Sequence, residues 1–141
     1  MSKIDEQRQT LTNKILTQFT PSYPDVPVWY PNQNFKEPEG SEWVKMSILG
    51  GESTQSNLGL TNITERHIGI LQFDVVVPED SGTKTANEIA EKLKTIFSRK
   101  DFIAGVGNCL RFQTAAITPR GVMHGSYRIV VRLPFRREER H

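Results

Sequence analysis

Apolar and polar side chains alternate over residues 64–77, a period of two that is typical of a β-strand. One side of this strand is wholly apolar and consists of Leu71, Phe73, Val75 and Val77. Pro78 has no N–H to donate to a sheet, and the four residues after it favour a turn. The pattern therefore predicts a strand that ends at this proline.

After the turn the apolar spacing changes to three and four, which is typical of an amphipathic helix. Six apolar residues share one stripe of this helix: Ala86, Ile89, Ala90, Leu93, Ile96 and Phe97. Thr85 and Glu88 have the spacing of a capping box at its N-terminus. Because neither apolar surface is stable in water, we expect the helix to lie across the apolar face of the strand.

The N-terminal part of the chain predicts a second helix and an edge strand. Ile4, Leu11, Ile15 and Phe19 recur at intervals of seven, four and four, which indicates an amphipathic helix over residues 3–19. The proline-rich residues 24–31 are typical of a short strand at the margin of a sheet.

Alternating residues predict three further strands, over residues 43–49, 108–118 and 127–136. The last two are close in sequence and are expected to form an antiparallel hairpin. Residues 136–141 contain no apolar side chain, so we expect them to form a solvated, charged C-terminal tail.

Residues 50–62 are rich in glycine and small polar side chains, and only Leu58 and Leu60 could anchor them. We predict a long loop between two strands, a feature that is usually functional or disordered. Two interpretations remain open: a surface covered by a partner, or a hairpin tip whose leucines fold back on their own domain.

The order of elements predicts an α+β fold, with a mostly antiparallel sheet of about four to five strands and two helices packed on one face. The 141 residues fit one domain over residues 1–135, followed by the tail. On the opposite face Ile70, Val76 and Val130 lie among polar and charged residues. Such a mixed surface suits contact with another copy of the chain.

Composition narrows the function only slightly. With 36% hydrophobic residues, 24% charged residues and a net charge of +2, the chain is globular and too weakly basic for nucleic acid to be its main partner. Its one cysteine excludes an internal disulfide and suits a reducing compartment. It has neither an apolar run of about 20 residues nor a signal-peptide core, so we expect a soluble intracellular protein.

No motif predicts catalysis, a cofactor or a metal. His67, His124 and His141 are far apart and lack metal-ligand spacing. The glycines at 50–51 and 105–107 lack the spacing and the lysine of a phosphate-binding loop. Cys109 could act as a nucleophile only if a histidine base reached it in space, and a lone cysteine in a strand is more often a small packing residue. We therefore expect a non-enzymatic protein that needs no cofactor.

Arginines on the predicted strands leave three interpretations open. Arg128 and Arg132 could meet Asp74 across neighbouring strands of one sheet face. They could also form pairs across a subunit boundary, where arginine is enriched. A basic track for passing DNA is the third interpretation.

Several groups of residues follow one another along the chain at a characteristic spacing. They are 27–32 (PVWYPN), Phe35, Pro38, 42–44 (EWV), Gln55, 58–59 (LG), 66–72 (RHIGILQ), Val75, Pro78 and Gly82. Together with the alanine-bearing helix, this pattern resembles the tail-terminator proteins of long-tailed bacteriophages and the related phage domain of unknown function. The resemblance extends over residues 26–135 and is strongest over residues 43–97.

The resemblance implies an α+β subunit that closes into a ring, usually of six copies, on the finished tail tube. Such a ring stops the addition of tube protein and presents the surface to which the head connector docks. Its partners would be other copies of the chain, the tube protein and the connector, with DNA passing through without specific binding and no membrane involved. It would be assembled in the host cytoplasm and lie at the head-proximal end of the virion tail.

The candidate contact residues come from the polar loop and the mixed sheet face: Glu52, Gln55, Asn57, Leu58, Leu60, Arg66, Gln72, Asp74, Arg128 and Arg132. The loop is the first choice, because a segment too polar to fold alone can become ordered against a neighbour. The alternatives are another neck or tail-completion protein and, from a different class, a small ligand-binding or enzymatic domain.

Overall fold

The computed structural model describes residues 2–38, 40–55, 64–79, 83–123 and 125–140, with only the backbone described at Glu52, Thr54, Gln55 and Met123. These residues form two α-helices and seven strands: α1 Lys3–Lys14, β1 Val28–Trp29, β2 Trp43–Gln55, β3 Thr64–Pro78, α2 Lys84–Phe97, β4 Asp101–Gly105, β5 Asn108–Phe112, β6 Ala116–Met123 and β7 Ser126–Arg140. A π-helical turn, Ile15–Phe19, continues α1.

All seven strands belong to one sheet with the order β1-β2-β3-β7-β5-β4, and β6 also pairs with β7. The β1–β2 pair is parallel, and every other pair is antiparallel. The α+β class is confirmed. The predicted count of four to five strands is too low, because β4 was not predicted and residues 108–118 belong to two strands.

The two strands β5 and β6 lie one after the other along the same side of β7, and Pro134 marks the change between them. The Pro134 carbonyl accepts a hydrogen bond of 2.9 Å from the Gln113 N–H. Because N–H and C=O of one residue point to the same side of an antiparallel strand, the missing proline N–H also faces this interruption. Proline therefore removes no pairing within β5 or β6. The segment between β5 and β6 is fixed to the end of α2 by a hydrogen bond of 2.9 Å, which the Ala115 N–H donates to Ser98 Oγ.

The helix α2 packs its apolar stripe on the sheet as predicted, and all six stripe residues are buried. The rings of Phe73 in β3 and Phe97 in α2 stack with centroids 5.8 Å apart. The predicted capping box is wrong, because Thr83 is the N-cap and makes no side-chain cap hydrogen bond. Thr85 and Glu88 instead lie inside the helix.

The first helix packs on the same face of the sheet and contributes Leu11, Ile15 and Phe19 to the core, all fully buried. In an α-helix a step of four residues drifts by about 40° around the axis. The wider π turn at Ile15–Phe19 compensates for this drift and keeps the three residues on one stripe. Ile4 does not join them, since it is 66% exposed.

The predicted loop is partly strand, because β2 continues through residues 50–55 and remains paired with β3. A register shift between Gly50 and Ser53 absorbs the irregularity. Gly51 fits this bulge closely, since a Cβ there would lie 3.0 Å from the Ile68 carbonyl oxygen. Residues 56–62 of the predicted loop lie outside the described residues.

The predicted solvated tail is wrong over residues 136–140, which complete β7. This end of β7 pairs with β3 on one side and with β5 on the other. Arg137 and Glu139 are only 4% and 7% exposed. Backbone pairing on both sides and ion pairing of the side chains order a segment that has no apolar residue of its own.

Candidate assembly surface

The side of the sheet that faces away from the helices is called here the outer face. It carries the even-numbered side chains of β3 and β7 and, before the bulge, the odd-numbered side chains of β2. Arg66, Gln72, Asp74, Arg128 and Arg132 all lie on it, in agreement with their alternation in the sequence. The outer face is therefore the surface on which to look for contacts with other chains.

An aromatic cluster of Trp29, Phe35 and Trp43 covers one corner of the outer face. The Phe35 ring stacks on Trp29 and is tilted against Trp43, with centroids 5.5 Å apart in both pairs. Lys45 Nζ lies 4.7 Å from the centroid of the Trp29 ring, a cation–π contact. Val76, opposite Trp43 in the ladder, is only 2% exposed. This corner of the face is thus closed by the chain itself.

A chain of hydrogen bonds crosses the centre of the outer face. Arg132 Nε donates to Gln72 Oε1 at 3.1 Å, and Gln72 Nε2 donates to Asp74 Oδ1 at 3.2 Å. The sequence suggested that Arg132 and Arg128 meet Asp74 directly. Arg132 instead reaches Asp74 through Gln72, and Arg128 lies opposite Val76 with a buried Nε that has no hydrogen-bond partner in the described part of the chain.

A second charged group lies further along β3. Glu138 forms ion pairs with two arginines. Its Oε1 lies 3.5 Å from Arg66 Nη2 and 3.3 Å from Arg136 Nε. The Nε of Arg66 is also buried without a hydrogen-bond partner among the described residues. Arg66 is six residues from Gln72, about 20 Å along a strand. The predicted contact residues of the outer face therefore form two groups rather than one site.

An apolar patch separates these two charged groups. Leu49 and Ile70 are cross-strand neighbours, and Ile68 lies two residues before Ile70 on the same face. Leu49 is 44% exposed and Ile68 is 51% exposed. Exposed apolar side chains bordered by charged and polar groups are typical of a protein–protein contact surface.

On the other side of the sheet, a buried polar cluster ties the N-terminus of α1 to the end of β7. Arg137 pairs with Glu139, and its Nε donates to Gln7 Oε1 at 3.0 Å. Asn108 Nδ2 donates to the Lys3 carbonyl at 3.0 Å. Burial lowers the pKa of the Arg137 guanidinium below its ordinary value, while the nearby carboxylates act in the opposite direction. This cluster closes the core at the end where apolar residues run out.

His67 lies at the edge of that cluster. Its Nε2 is 3.4 Å from Glu65 Oε2 and 3.5 Å from Glu139 Oε1, while its Nδ1 is 2.6 Å from Ser53 Oγ. The ligand atoms of Glu65, His67 and Glu139 lie within 4.8 Å of one another, and carboxylates with imidazole are a donor set that divalent metals use. Arg137, however, already stands beside Glu139 as the cation of the cluster. Sequence reasoning missed this group because it placed Glu139 in a solvated tail, and residues 136–140 contain no apolar side chain that would have indicated a strand.

The predicted loop contacts are not placed by the structure. Glu52 and Gln55 belong to β2, where only their backbone is described. Asn57, Leu58 and Leu60 lie outside the described residues. The hypothesis that this segment contacts a neighbour stays a prediction.

The fold and the outer face define a small α+β subunit with a mixed surface suited to association. The model of the phage tail terminator protein family matches residues 8–135. The chain therefore belongs to the phage tail terminator family. Members are structural proteins of phage tails, which makes this chain a structural phage tail protein and a component of the virion.

Other comparisons support the fold alone. One solved protein structure superposes with a TM-score of 0.77 over 97% of this chain and 96% of its own chain, at 18% sequence identity. No curated protein matches the sequence. None of the described helices is long and apolar enough to cross a membrane.

Proposed function

We propose that the chain is the subunit of a six-membered ring that caps the head-proximal end of the tail tube. The ring ends polymerisation of the tube protein and offers the docking surface for the head connector. The observation that carries this proposal is the family match over residues 8–135, which includes nearly every element of the fold. DNA passes through the ring without sequence-specific contacts.

The outer face supports a role in association. Arg66 and Arg128 each hold a buried Nε without an acceptor in the described part of the chain, and each such orphaned donor costs about 1–3 kcal/mol. A neighbouring chain cannot reach these buried atoms, but the partly exposed remainder of each guanidinium offers N–H donors to a carboxylate or carbonyl of that chain. The exposed patch around Leu49 and Ile68 lies between the two arginines and would be removed from water by the same contact.

The ring is tested by imaging the purified protein alone and mixed with tail tubes of the phage that encodes it. Rings that bind one end of each tube and stop its growth are the expected result. A protein that stays monomeric and ignores the tubes contradicts the proposal. A ring that binds the connector and leaves tube growth unchanged would assign the chain to another step of neck assembly.

A matched pair of variants tests the part played by the outer face. Ile68 on the outer face and Leu16 on the helical layer have similar exposures of 51% and 49%. Ile68→Asp should weaken binding to tube ends or to other copies, whereas Leu16→Asp should leave both unchanged. Equal behaviour of the two variants would show that the outer face is not the contact surface.

A further inference from the structure

Four strand edges lack a partner strand among the described residues. β1 pairs only with β2, β4 only with β5, and β6 only with β7. The fourth edge is the part of β2 beyond Lys45, because β1 reaches only Val44 and Lys45. Free edges present unpaired N–H and C=O groups to which strands of other chains add, and proteins guard them with prolines, charges, bulges or short length.

Two of these edges are guarded. β1 is two residues long and lies between Pro27 and Pro31. β6 contains Pro119 and Arg120, and its pairing with β7 shifts register between Pro119 and Gly121. Neither edge offers a regular row of backbone donors and acceptors.

The other two edges are open. Residues 46–50 of β2 contain no proline and no charge, and their pairing with β3 is regular up to Gly50. β4 contains no proline and a single charge, Asp101, at its first position, and its pairing with β5 is regular from Asp101 to Ile103, before the register shifts towards Gly105. Ile103 in β4 is 83% exposed and Val106 in the following turn is 94% exposed. Residues 46–50 of β2 and residues 101–103 of β4 therefore combine an unguarded backbone with apolar side chains in water.

The open edge of β2 also has room beside it for the side chains of an added strand. A hollow of about 420 Å³ is bordered by residues 30–34 and by residues 45–48 of β2. An added strand directs alternate side chains to opposite faces, so it could fill this hollow.

We infer that β4 of one copy pairs with the open edge of β2 of the next copy, so that one sheet continues from subunit to subunit. This inference rests on the proposed ring. Each copy carries one open edge of each kind, at different places in the strand order. A contact between the two kinds is heterologous and closes into a ring when the rotation permits. A strand from another protein would cover one open edge and leave the second exposed.

The strand order, together with the direction of the ring axis, sets the orientation of this contact. Every neighbouring pair from β2 through β3, β7 and β5 to β4 is antiparallel, so β2 and β4 run in the same direction. If the ring axis runs along the strands, the rotation between copies preserves that direction and the two edges meet in parallel. β1 is already parallel to β2 on this side, and the neighbour's β4 would continue from where β1 stops.

Disulfide cross-linking tests the contact in a Cys109→Ser background, which removes the single native cysteine. Ser47→Cys and Ile103→Cys place thiols on the outer face of β2 and β4, and Leu49→Cys covers the adjacent register. Within one copy β2 and β4 are four strand spacings apart, about 19 Å, which is beyond the reach of a disulfide. Any cross-link must therefore join two copies.

The expected pattern on non-reducing gels is specific. A chain with Ile103→Cys and either β2 cysteine should give a ladder of multimers, alone or with tail tubes. A mixture of the two single-cysteine chains should stop at dimers. Ser47→Cys combined with Thr118→Cys is the matched control, since Thr118 is exposed on the guarded edge of β6 and lies opposite Val130 on the outer face. A ladder of equal strength from this control would overturn the inference.

A charge on the open edge provides a second test. Ile103→Lys should lower the association constant between copies at least about tenfold, a loss of about 1.4 kcal/mol, whereas Val122→Lys should leave it unchanged. Light scattering gives the association, and circular dichroism checks the fold. Absent ladders together with multimers that withstand Ile103→Lys would refute the edge contact and leave the ring function standing. A wild-type protein that remains monomeric with and without tubes would refute both.

Discussion

The ring of Phe135 lies against the backbone of Gly69, so close that a Cβ at Gly69 would come within 2.7 Å of the Phe135 Cζ. The two residues are cross-strand neighbours in β7 and β3. Phe135 is 3% exposed, and its ring centroid is 5.1 Å from that of Phe112. The missing side chain at Gly69 thus makes room for an aromatic ring that closes one end of the core.

Gly69→Ala should therefore destabilise the protein. The added methyl group must displace either the Phe135 ring or the Leu49 carbonyl, which a Cβ would approach to 3.0 Å, and such overpacking costs about 1–3 kcal/mol. Urea unfolding measures the loss. Gly50→Ala is the matched control, because Gly50 pairs with Gly69 across the strands and a Cβ there meets nothing within 4 Å. Equal stability of the two variants would contradict the close contact.

Neutralising Glu139 should be far more costly than neutralising its neighbour Glu138. Glu139→Gln leaves Arg137 buried without its paired carboxylate, and loss of one partner of a buried ion pair costs about 3–5 kcal/mol. Glu138 pairs with Arg66 and Arg136 near the surface, so Glu138→Gln should cost about 1 kcal/mol or less. Thermal and urea unfolding give the comparison. Similar losses would show that the end of β7 is not a buried ion-pair site.

Removing the Phe35 ring should expose both tryptophans of the chain. Trp29 and Trp43 are the only tryptophans, and each has its ring centroid 5.5 Å from that of Phe35. Phe35→Ala should shift the native fluorescence emission to longer wavelength and cost about 1–2 kcal/mol of stability. Phe102→Ala is the control, because Phe102 contacts Phe97 and Phe112 instead. It should lower stability without changing the emission; an unchanged spectrum for Phe35→Ala would disprove the cluster.

Two tyrosines should make the fold sensitive to alkali. Burial raises the pKa of Tyr30 above 10.0, and burial together with the Glu88 charge raises the pKa of Tyr23. Because the folded-state pKa is the higher one, this contribution to stability is complete below about pH 10 and is lost as the pH rises through the folded-state value. Tyr30→Phe should therefore lose less stability than the wild type between about pH 8 and about pH 11, as measured by urea unfolding. Parallel curves for the two proteins would argue against a raised pKa.

Local periodicity was sufficient for α2 and β3, although it wrongly added Ile4 to the buried stripe of the first helix. The stripe of α2 and the apolar side of β3 are both buried as predicted, because a period of 3.6 or 2 places side chains on one face regardless of the rest of the chain. The same reasoning failed for residues 50–55 and 136–140. Residues 50–55 are glycines and mostly small polar residues, and residues 136–140 are all charged. Either composition is compatible with a solvated segment and with a strand that is paired in a sheet.

The candidate site shows the same division. Alternation correctly placed Gln72, Asp74 and Arg132 on one face, but it could not show that Gln72 stands between the other two. Nor could it show that Arg137 and Glu139 are buried together, since burial of a charge depends on partners that lie far away in the sequence.

The sequence by itself determined the α+β class, the apolar residues of the core and the family, because each depends on side-chain pattern. Tertiary structure alone decided which charges are buried, where along β7 the pairing changes from β5 to β6, and which edges of the sheet stay open. The physical reason is that strands pair through backbone groups common to nearly every residue. Which of those groups find partners therefore depends on how distant segments meet in the fold.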